Sequence, residues 1–255
     1  MHTVAIINQK GGVGKSTTAQ ALAAGLSLKG YKPLLIDLDP QCNTTFTAAC
    51  SSSSPTITGL LLGEVSAAAA IQHTGLGDII AASKALSGAD TMITGTGREY
   101  RLKEALEPLQ AVYDFAIIDT PPALGILTVN ALVAADTVVI PAQADIYSLQ
   151  GIAALSETLQ PVKKYCNADL KIAGILLTRY SPRAVLSRDI ADQAEQAAGQ
   201  LQTKVFKATI REAIAVKEAQ IRQQSIFSYS PKSRVACDYS RFTEEFLDSL
   251  YSTGK

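Results

Sequence analysis

The chain has 255 residues, of which 47% are hydrophobic, and its 23 basic and 23 acidic side chains cancel. This is enough apolar material for one large core, so we expect a single domain over residues 1–255. No apolar run approaches the ~20 residues needed to cross a bilayer. The first predicted strand begins at Thr3, which leaves no room for a signal peptide or an N-terminal DNA-reading domain.

The four cysteines are widely spaced and form no C-x-x-C pair: Cys42, Cys50, Cys166 and Cys237. This spacing is typical of reduced thiols in a cytosolic protein and argues against a disulfide framework or a zinc site. We therefore expect a cytoplasmic protein.

A glycine-rich loop between a predicted strand and a predicted helix carries the strongest signal. Residues 4–7 are typical of a buried parallel strand, and residues 18–29 predict a helix. Glycines let successive backbone N–H groups turn towards phosphate oxygens, and the helix that starts near Ser16 adds the positive end of its dipole. Lys15 is expected to neutralise phosphates, and the Ser16 hydroxyl suits Mg²⁺. The predicted nucleotide-binding loop comprises Lys10, Gly11, Gly12, Val13, Gly14, Lys15, Ser16 and Thr17.

Lys10 is unusual in such a loop. The usual pattern has a glycine at position 9, but here Gln9 is followed by a second lysine. A lone loop lysine is ordinarily a solvated side chain. The neighbouring sequence favours a functional role for this one.

A second buried strand is predicted over residues 32–39 and ends in two aspartates before Pro40. The carboxyl ends of parallel strands are where open α/β sheets bind ligands. Asp39 lies nearer the strand tip and is better placed to reach a bound phosphate. Asp37 is expected to hold the loop through hydrogen bonds.

The stretch from residue 42 to residue 110 is the least informative. It predicts a helix over residues 58–71, a short strand over 77–81 and a helix over 98–111. An apolar run then leads into Asp119 and two prolines. A carboxylate at a strand tip downstream of a phosphate loop is expected to support a Mg²⁺-bound water.

The remaining chain continues to alternate strands and helices. Helices are predicted over residues 123–135, 149–165, 186–202 and 243–250, and strands over 137–141, 172–178 and 203–206. This alternation predicts an α/β fold with a doubly wound, mostly parallel sheet and helices on both faces.

Charge is unevenly distributed along the chain. Residues 179–234 carry ten basic and five acidic side chains, whereas residues 1–178 carry an excess of acids. A basic segment in an otherwise acidic chain points weakly to a polyanion partner, and chance clustering on a solvated surface is an equally good interpretation.

Taken together, these motifs resemble the ParA family of partition ATPases, within the deviant Walker A class of P-loop NTPases that also contains MinD and the nitrogenase iron protein. Four segments match the family motifs in order over nearly the whole chain: residues 10–17, 37–41, 118–125 and, least specifically, 225–233. Two positions depart from the common pattern. Cys42 stands where many relatives have glycine, and Ser16 replaces the commoner threonine.

The resemblance implies an ATP hydrolase with ATP and Mg²⁺ as cofactors. Lys10 would reach across a nucleotide-sandwich homodimer to the partner's phosphates, as an arginine finger does. Lys15 would keep its ordinary phosphate-loop role, and Asp39 would position the attacking water. The implied magnesium residues are Ser16, Asp39 and Asp119. The adenine pocket is expected around Thr178, Arg179 and Arg211.

The resemblance also implies that the ATP-bound dimer binds double-stranded DNA without sequence preference and positions a plasmid, chromosome or other cargo. A ParB-like centromere-binding or cargo adaptor protein would stimulate hydrolysis and release it. We therefore expect nucleoid association and no membrane. Some residues of the basic segment would contact DNA phosphates. The candidates are Arg188, Lys204, Lys207, Arg211, Lys217 and Arg222.

Two alternatives remain to be weighed against partition. A MinD-like membrane positioner needs a C-terminal amphipathic helix with a basic face. The tail over residues 239–250 is apolar at positions 242, 246, 247 and 250 but mainly acidic elsewhere. An iron–sulfur reductase needs a cysteine shortly after Asp119, and residues 120–135 contain none. The membrane positioner is thus the open alternative.

Overall fold

One sheet of seven strands organises the part of the chain that the structure describes. A computed structural model describes residues 1–51, 53–180 and 187–251, without the side chains of residues 146–151, 153, 154 and 187–191. The strands are β1 (His2–Ile6), β2 (Pro33–Asp37), β3 (Ile71–Thr74), β4 (Gly77–Ile80), β5 (Phe115–Asp119), β6 (Thr137–Gln143) and β7 (Lys171–Thr178). Their order is β3-β4-β2-β5-β1-β6-β7. All neighbours are parallel except β3 and β4.

Helices cover both faces of this sheet. They are α1 (Lys15–Leu28), α2 (Asn43–Thr47), α3 (Ile57–Leu62), α4 (Ala67–Ala70), α5 (Ala89–Met92), α6 (Arg101–Leu106), α7 (Ile126–Ala134), α8 (Ile146–Tyr165), α9 (Ser187–Gln200), α10 (Ile214–Ile221), α11 (Ile226–Tyr229) and α12 (Arg234–Tyr251). Successive residues of β1 point to opposite sides, so Val4 and Ile6 lie in one buried cluster and Ala5 in another. The first cluster includes residues of α1, α10, α11 and α12, and the second includes residues of α3 and α6 to α9.

The prediction of a doubly wound, mostly parallel α/β sheet is therefore confirmed. The reason lies in the apolar runs of the central strands. All five residues of β5 are buried, and Val4, Ala5 and Ile6 of β1 are fully buried. Strands that are buried on both sides need a helical layer on each face, because neither side meets water. The prediction of a single domain over residues 1–255 stays a prediction.

Two helices predicted between residues 42 and 110 are wrong in extent. The helix predicted over residues 58–71 ends at Leu62, because Gly63 adopts a left-handed φ of 75° that terminates it. The chain then forms α4 and turns back as β3, antiparallel to β4. The helix predicted over residues 98–111 is broken into α6 and two flanking 3₁₀ turns, and Pro108 lies in the second of these turns.

The C-terminal region also departs from prediction. The strand predicted over residues 203–206 is absent, and this segment makes an isolated parallel bridge between Val205 and Ile175 of β7. The closing helix is much longer than the predicted 243–250. It begins at Arg234 because its buried apolar positions recur over the whole length of α12, from Val235 through Tyr239 to Phe246. The last four residues of the chain lie outside the described part, as does residue 186 of the helix predicted over residues 186–202.

Gly174 of β7 provides a test of this packing. A Cβ at this residue would lie 2.8 Å from the Phe206 ring and 2.9 Å from the Lys204 carbonyl oxygen, and its φ of 157° disfavours side chains. Gly174→Ala should therefore lower the free energy of unfolding by about 1–3 kcal/mol, as measured by denaturant titration. Gly199→Ala is the matched control, since Gly199 lies in α9 with open space around its Cα. It should be neutral or slightly stabilising, and equal destabilisation of the two variants would contradict the packing argument.

Candidate active site

The loop between β1 and α1 is held in place by the neighbouring strands. Gly12 and Gly14 adopt positive φ values of 76° and 91°, which glycine reaches without strain. Thr178, at the end of β7, donates its hydroxyl to the Val13 carbonyl at 2.8 Å. Thr120, which follows β5, donates to the Ile6 carbonyl at 2.8 Å. The loop conformation is thus fixed by the sheet before any ligand arrives.

A cavity of about 650 Å³ opens in front of this loop. Its size suits a small-molecule ligand. The loop lines one end, and residues from β7, α10 and the segments around them line the other. The predicted site residues that line it are Gly11, Gly12, Val13, Gly14, Lys15, Ser16, Thr17, Asp39, Thr178, Arg179, Arg211 and Lys217. Several further lining residues, among them Phe46, Val216 and Ile221, carry no motif and were missed.

Lys15 lies largely buried at the loop end of the cavity, with 6% of its surface exposed. Its Nζ donates to the Lys10 carbonyl oxygen at 3.1 Å. Burial lowers the pKa of Lys15, and the nearby carboxylates of Asp119 and Asp39 oppose that shift. A buried ammonium group of this kind gains from an anionic partner in the cavity.

The two aspartates that end β2 have different surroundings. Asp37 accepts hydrogen bonds from the Asp39 and Thr45 backbone amides at 3.0 and 2.8 Å, and from the Thr45 hydroxyl at 2.7 Å. The expectation that it holds the loop is confirmed. Burial raises the pKa of Asp37 to about 6. Asp39 lines the cavity instead and accepts from the Gln41 amide at 2.9 Å.

Asp119, at the end of β5, is completely buried behind the cavity. Its Oδ2 accepts a hydrogen bond from the Thr44 hydroxyl at 2.8 Å, whereas its buried Oδ1 makes none within the described residues. Burial raises the pKa of Asp119 to about 8, the charge of Asp37 adds to the rise, and the hydroxyls of Thr44 and Ser16 oppose it. Thr44 was missed, because nothing in the sequence links a residue of a one-turn helix to a strand 75 positions away.

An orphaned carboxylate oxygen beside hydroxyl groups fits a hard cation. Mg²⁺ prefers carboxylate, hydroxyl and water oxygens, and Ser16, Asp39 and Asp119 together supply the protein share of such a set. A bound cation would also compensate the charge of a buried Asp119. The residues present therefore fit the predicted magnesium site.

Lys10 does not reach into the cavity of its own chain. Its Nζ donates to both carboxylate oxygens of Asp145, at 2.9 and 2.8 Å. The two side chains are 34% and 29% exposed, so water partly screens the pair. Asp145 was missed, although it follows an apolar strand in the same way as Asp39 and Asp119. That similarity was the signal that could have identified it.

The six candidate DNA contacts do not form one surface. Lys204 and Lys207 line a second cavity. His2 and Lys171, the first residues of β1 and β7, also line it, so it lies at the edge of the sheet opposite the phosphate loop. The segment of Lys204 and Lys207 begins beside the middle of β7 and runs parallel to it towards the cavity at the phosphate loop. Two others, Arg211 and Lys217, line the cavity at the phosphate loop, and Arg222 is exposed at the end of α10. The Arg188 side chain lies outside the described residues.

The described residues give little support to a His, Cys or carboxylate metal cluster, to disulfide bonds or to a membrane-spanning helix. No cluster of three or more His, Cys, Asp and Glu side chains there could hold a metal ion. The four cysteines are free thiols. No described helix is both long enough and apolar enough to cross a bilayer.

The chain is similar to proteins of known families over nearly its whole length. A family model described as an AAA domain matches residues 1–172. The sporulation initiation inhibitor protein Soj of Bacillus subtilis is 38% identical over 247 residues, which are 95% of this chain and 96% of Soj. The chromosome partitioning protein ParA of Caulobacter vibrioides is 37% identical over 255 residues, covering 97% and 94% of the two chains.

Among solved structures, a cobyrinic acid a,c-diamide synthase of Mycobacterium smegmatis with a bound ATP analogue and magnesium superposes with a TM-score of 0.86. It is 34% identical, and the match covers 100% of this chain and 98% of that one. The phosphate loop, the aspartates at the strand tips and the full-length similarity to Soj and ParA lead to one family. The chain belongs to the ParA family of partition ATPases.

Proposed function

We propose that this protein is a Mg²⁺-dependent ATP hydrolase that works in DNA partition as an ATP-bound homodimer. The observation that carries the proposal is the arrangement of two lysines on one loop. Lys15 is buried at the end of the cavity, whereas Lys10 is held outside it by Asp145. A loop that keeps the Lys15 ammonium group in its own nucleotide site and the Lys10 ammonium group outside it suits a reaction in which Lys10 acts on the nucleotide of a second subunit.

ATP and Mg²⁺ are the cofactors that fit the cavity. The loop offers backbone N–H groups and Lys15 to a triphosphate, and Ser16 with Asp119 offers oxygens to the cation. A similar structure was determined with an ATP analogue and magnesium. When bound, Mg²⁺ would neutralise phosphate charge. Asp119 then needs to be ionised, although its burial alone favours the protonated form.

Asp39 has the geometry of a residue that orients the attacking water. Its side chain is 6% exposed and lines the cavity near the phosphate loop. The Gln41 amide donates to Oδ1 at 2.9 Å, which restrains the position of the carboxylate. A fixed carboxylate can accept a hydrogen bond from water and aim its oxygen at the terminal phosphorus. Bond formation to that oxygen and cleavage of the bond to the β-phosphate oxygen then yield ADP and phosphate.

Lys10 is poised to act on the nucleotide of a second subunit. An ion pair exposed by about a third contributes roughly 0–1 kcal/mol, so Asp145 can be exchanged for another anion at low cost. The phosphates of a facing ATP carry more charge than one carboxylate. Lys10 would therefore leave Asp145 and stabilise the charge that develops on the transferred phosphoryl group in the partner's site.

DNA binding is best placed on α10. Lys217 and Arg222 are both exposed on this helix or at its end, near the mouth of the cavity. Gln220 of α10 donates to the Thr17 hydroxyl at 3.1 Å, and Gln223 donates to the Phe46 carbonyl at 2.9 Å. These bonds tie α10 and the segment after it to both sides of the nucleotide site, which would make DNA binding depend on ATP. A ParB-like adaptor would then stimulate hydrolysis of the nucleoid-bound form.

The alternative of a MinD-like membrane positioner is less well supported. The apolar face of α12 is turned inward, with Tyr239, Phe242 and Phe246 at most 2% exposed. Buried side chains cannot insert between lipids, which leaves Tyr251 as the strongly exposed aromatic side chain of α12. In the part of the chain that the structure describes, α12 thus packs against the core with its apolar face.

DNA binding in the presence of ATP tests the proposal directly. The chain should bind random duplex DNA with ATP but not with ADP, and the affinity should fall steeply with salt. Replacing both Lys217 and Arg222 with alanine should reduce the slope of log K against log salt by about 0.9 for each DNA phosphate that is no longer neutralised. The paired control, Lys204→Ala with Lys207→Ala, should leave that slope unchanged.

Two single variants complete the assay. Lys15→Ala should bind neither ATP nor DNA, because it lacks the buried cation. Asp39→Ala should bind ATP and DNA but release no phosphate. Nucleotide-independent DNA binding, or binding to anionic liposomes in its place, would contradict the partition proposal.

The Lys10–Asp145 pair gives a second prediction, with opposite effects from its two members. Lys10→Ala should lower ATP turnover by about 10³-fold or more, as removal of a trans-acting cation does. Asp145→Asn should weaken the hold on Lys10 and increase the dimer fraction in ATP, measured by sedimentation. Circular dichroism should show both variants folded. Equally reduced turnover in both would mean that Asp145 supports catalysis instead of restraining Lys10.

The raised pKa of Asp119 gives a third prediction, for protein freed of metal with a chelator. Between about pH 4 and about pH 8 the folded chain keeps a proton on Asp119 that the unfolded chain has released. Stability should therefore fall as pH rises through this window. Asp119→Asn should flatten that slope in thermal unfolding scans, and Mg²⁺ with ATP should stabilise the wild type most at the upper end. Parallel pH profiles for the two proteins would contradict the assignment.

A further inference from the structure

The one-turn helix α2 carries two adjacent threonines that bind two neighbouring strands. Thr44 donates its hydroxyl to Oδ2 of Asp119 at 2.8 Å, and Thr45 donates its hydroxyl to Oδ2 of Asp37 at 2.7 Å. Asp37 and Asp119 are themselves paired in register, because β2 and β5 lie side by side. The helix thus bridges the carboxyl ends of these two strands.

The backbone of Asp119 is fixed by the sheet on both sides. It pairs in register with Ile6 of β1 and with Asp37 of β2, and its carbonyl accepts from the Leu38 amide at 2.9 Å. The direction of the carboxylate therefore depends on rotation about the side-chain bonds. The hydrogen bond from Thr44 restrains that rotation, because it holds Oδ2 and leaves Oδ1 as the oxygen without a hydrogen bond within the described residues.

Gln20 of α1 sets the direction in which the Thr44 hydroxyl donates. Its Nε2 donates to Oγ1 of Thr44 at 3.0 Å. An amide N–H can only donate, so the hydroxyl accepts from Gln20 and gives its own proton to the carboxylate. Thr44 is fully buried, whereas Gln20 is partly exposed. The two side chains thus form a chain of hydrogen bonds that leads from a partly exposed amide to the buried Asp119.

We propose that Thr44 is a positioning residue for the magnesium site, and that Gln20 supports it. Thr44 holds Oδ2 of Asp119 and so leaves Oδ1 for the cation or for a water molecule bound to it. Partners that orient a metal-binding carboxylate in this way are worth about 10–100-fold in metal affinity. This rests on the proposed function in one respect, since the cation must bind beside Asp119. Thr44 does not line the cavity, so it can act on a bound ligand only through Asp119.

The effect of Mg²⁺ on ADP binding tests this role. ADP affinity is measured by calorimetry with excess Mg²⁺ and with excess EDTA, for the wild type, Thr44→Val and Thr44→Ser. Valine has the shape of threonine without the hydroxyl, so the gain in affinity that Mg²⁺ gives should shrink by about tenfold or disappear. Thr44→Ser keeps the hydroxyl and should keep the gain. The affinity in EDTA should be the same in all three proteins.

Gln20→Ala tests the same chain of hydrogen bonds from its partly exposed end, and so keeps the test valid if Thr44→Val does not fold. It should reduce the Mg²⁺ gain in the same direction, and adding it to Thr44→Val should reduce the gain no further. Thr243→Val is the matched control, because Thr243 is also fully buried but donates to the Tyr239 carbonyl within α12 at 2.9 Å. It should leave the Mg²⁺ gain unchanged.

The possible outcomes separate this inference from the proposed function. An unchanged Mg²⁺ gain in Thr44→Val or in Gln20→Ala, loss of the gain in Thr44→Ser, or equal weakening with and without Mg²⁺ would each overturn the positioning role. A wild type whose ADP affinity does not respond to Mg²⁺ would overturn the magnesium site, and the role of Thr44 with it. ADP keeps hydrolysis and DNA out of the assay, so a failed partition role leaves its result unaffected.

Discussion

The site depends on one constraint, which is the complete burial of the central parallel strands. Because residues 3–6 of β1 and all five residues of β5 are buried, the side chains that can contact a ligand lie at or beyond the carboxyl ends of these strands. At the carboxyl ends the chain therefore carries the phosphate loop and Asp119, and β2 carries Asp39 to the same edge. The same burial raises the pKa of Asp119, so the fold that places the carboxylate also opposes its charge. A cation bound at this edge compensates the negative charge of Asp119, which the sheet buries.

Much of this edge could be predicted from local sequence. The loop from Lys10 to Thr17 and the aspartates after two apolar runs are contiguous patterns, and the structure places Asp39 in the cavity and Asp119 directly behind it. The partners of these residues could not be predicted, because they are distant in the chain. Thr44 contacts Asp119, Asp145 contacts Lys10, and Asp238 contacts Arg211, across 75, 135 and 27 positions. Sequence periodicity carries no information on such pairs.

The errors in the fold have a related cause. The helical periodicity predicted over residues 58–71 is present only within α3, because Gly63 adopts the left-handed conformation and ends the helix. The last part of the predicted helix forms β3 instead, which pairs with β4 as a hairpin. In the opposite direction, α12 is longer than predicted because its amino-terminal half buries Val235 and Tyr239 in the same cluster as Leu22 of α1. Tertiary contacts set both boundaries.

The main chain of Lys10 is anchored on both sides. Its amide donates to the Asn8 side chain at 2.9 Å, and its carbonyl accepts from Lys15 at 3.1 Å. A change of partner by the ammonium group thus needs only rotation about side-chain bonds, which takes place within nanoseconds for partly exposed residues. In the proposed dimer, the phosphate loop would therefore not have to refold when two subunits meet. The rate of that proposed assembly would be set by how often ATP-bound subunits collide in a suitable orientation, and thus by their local concentration.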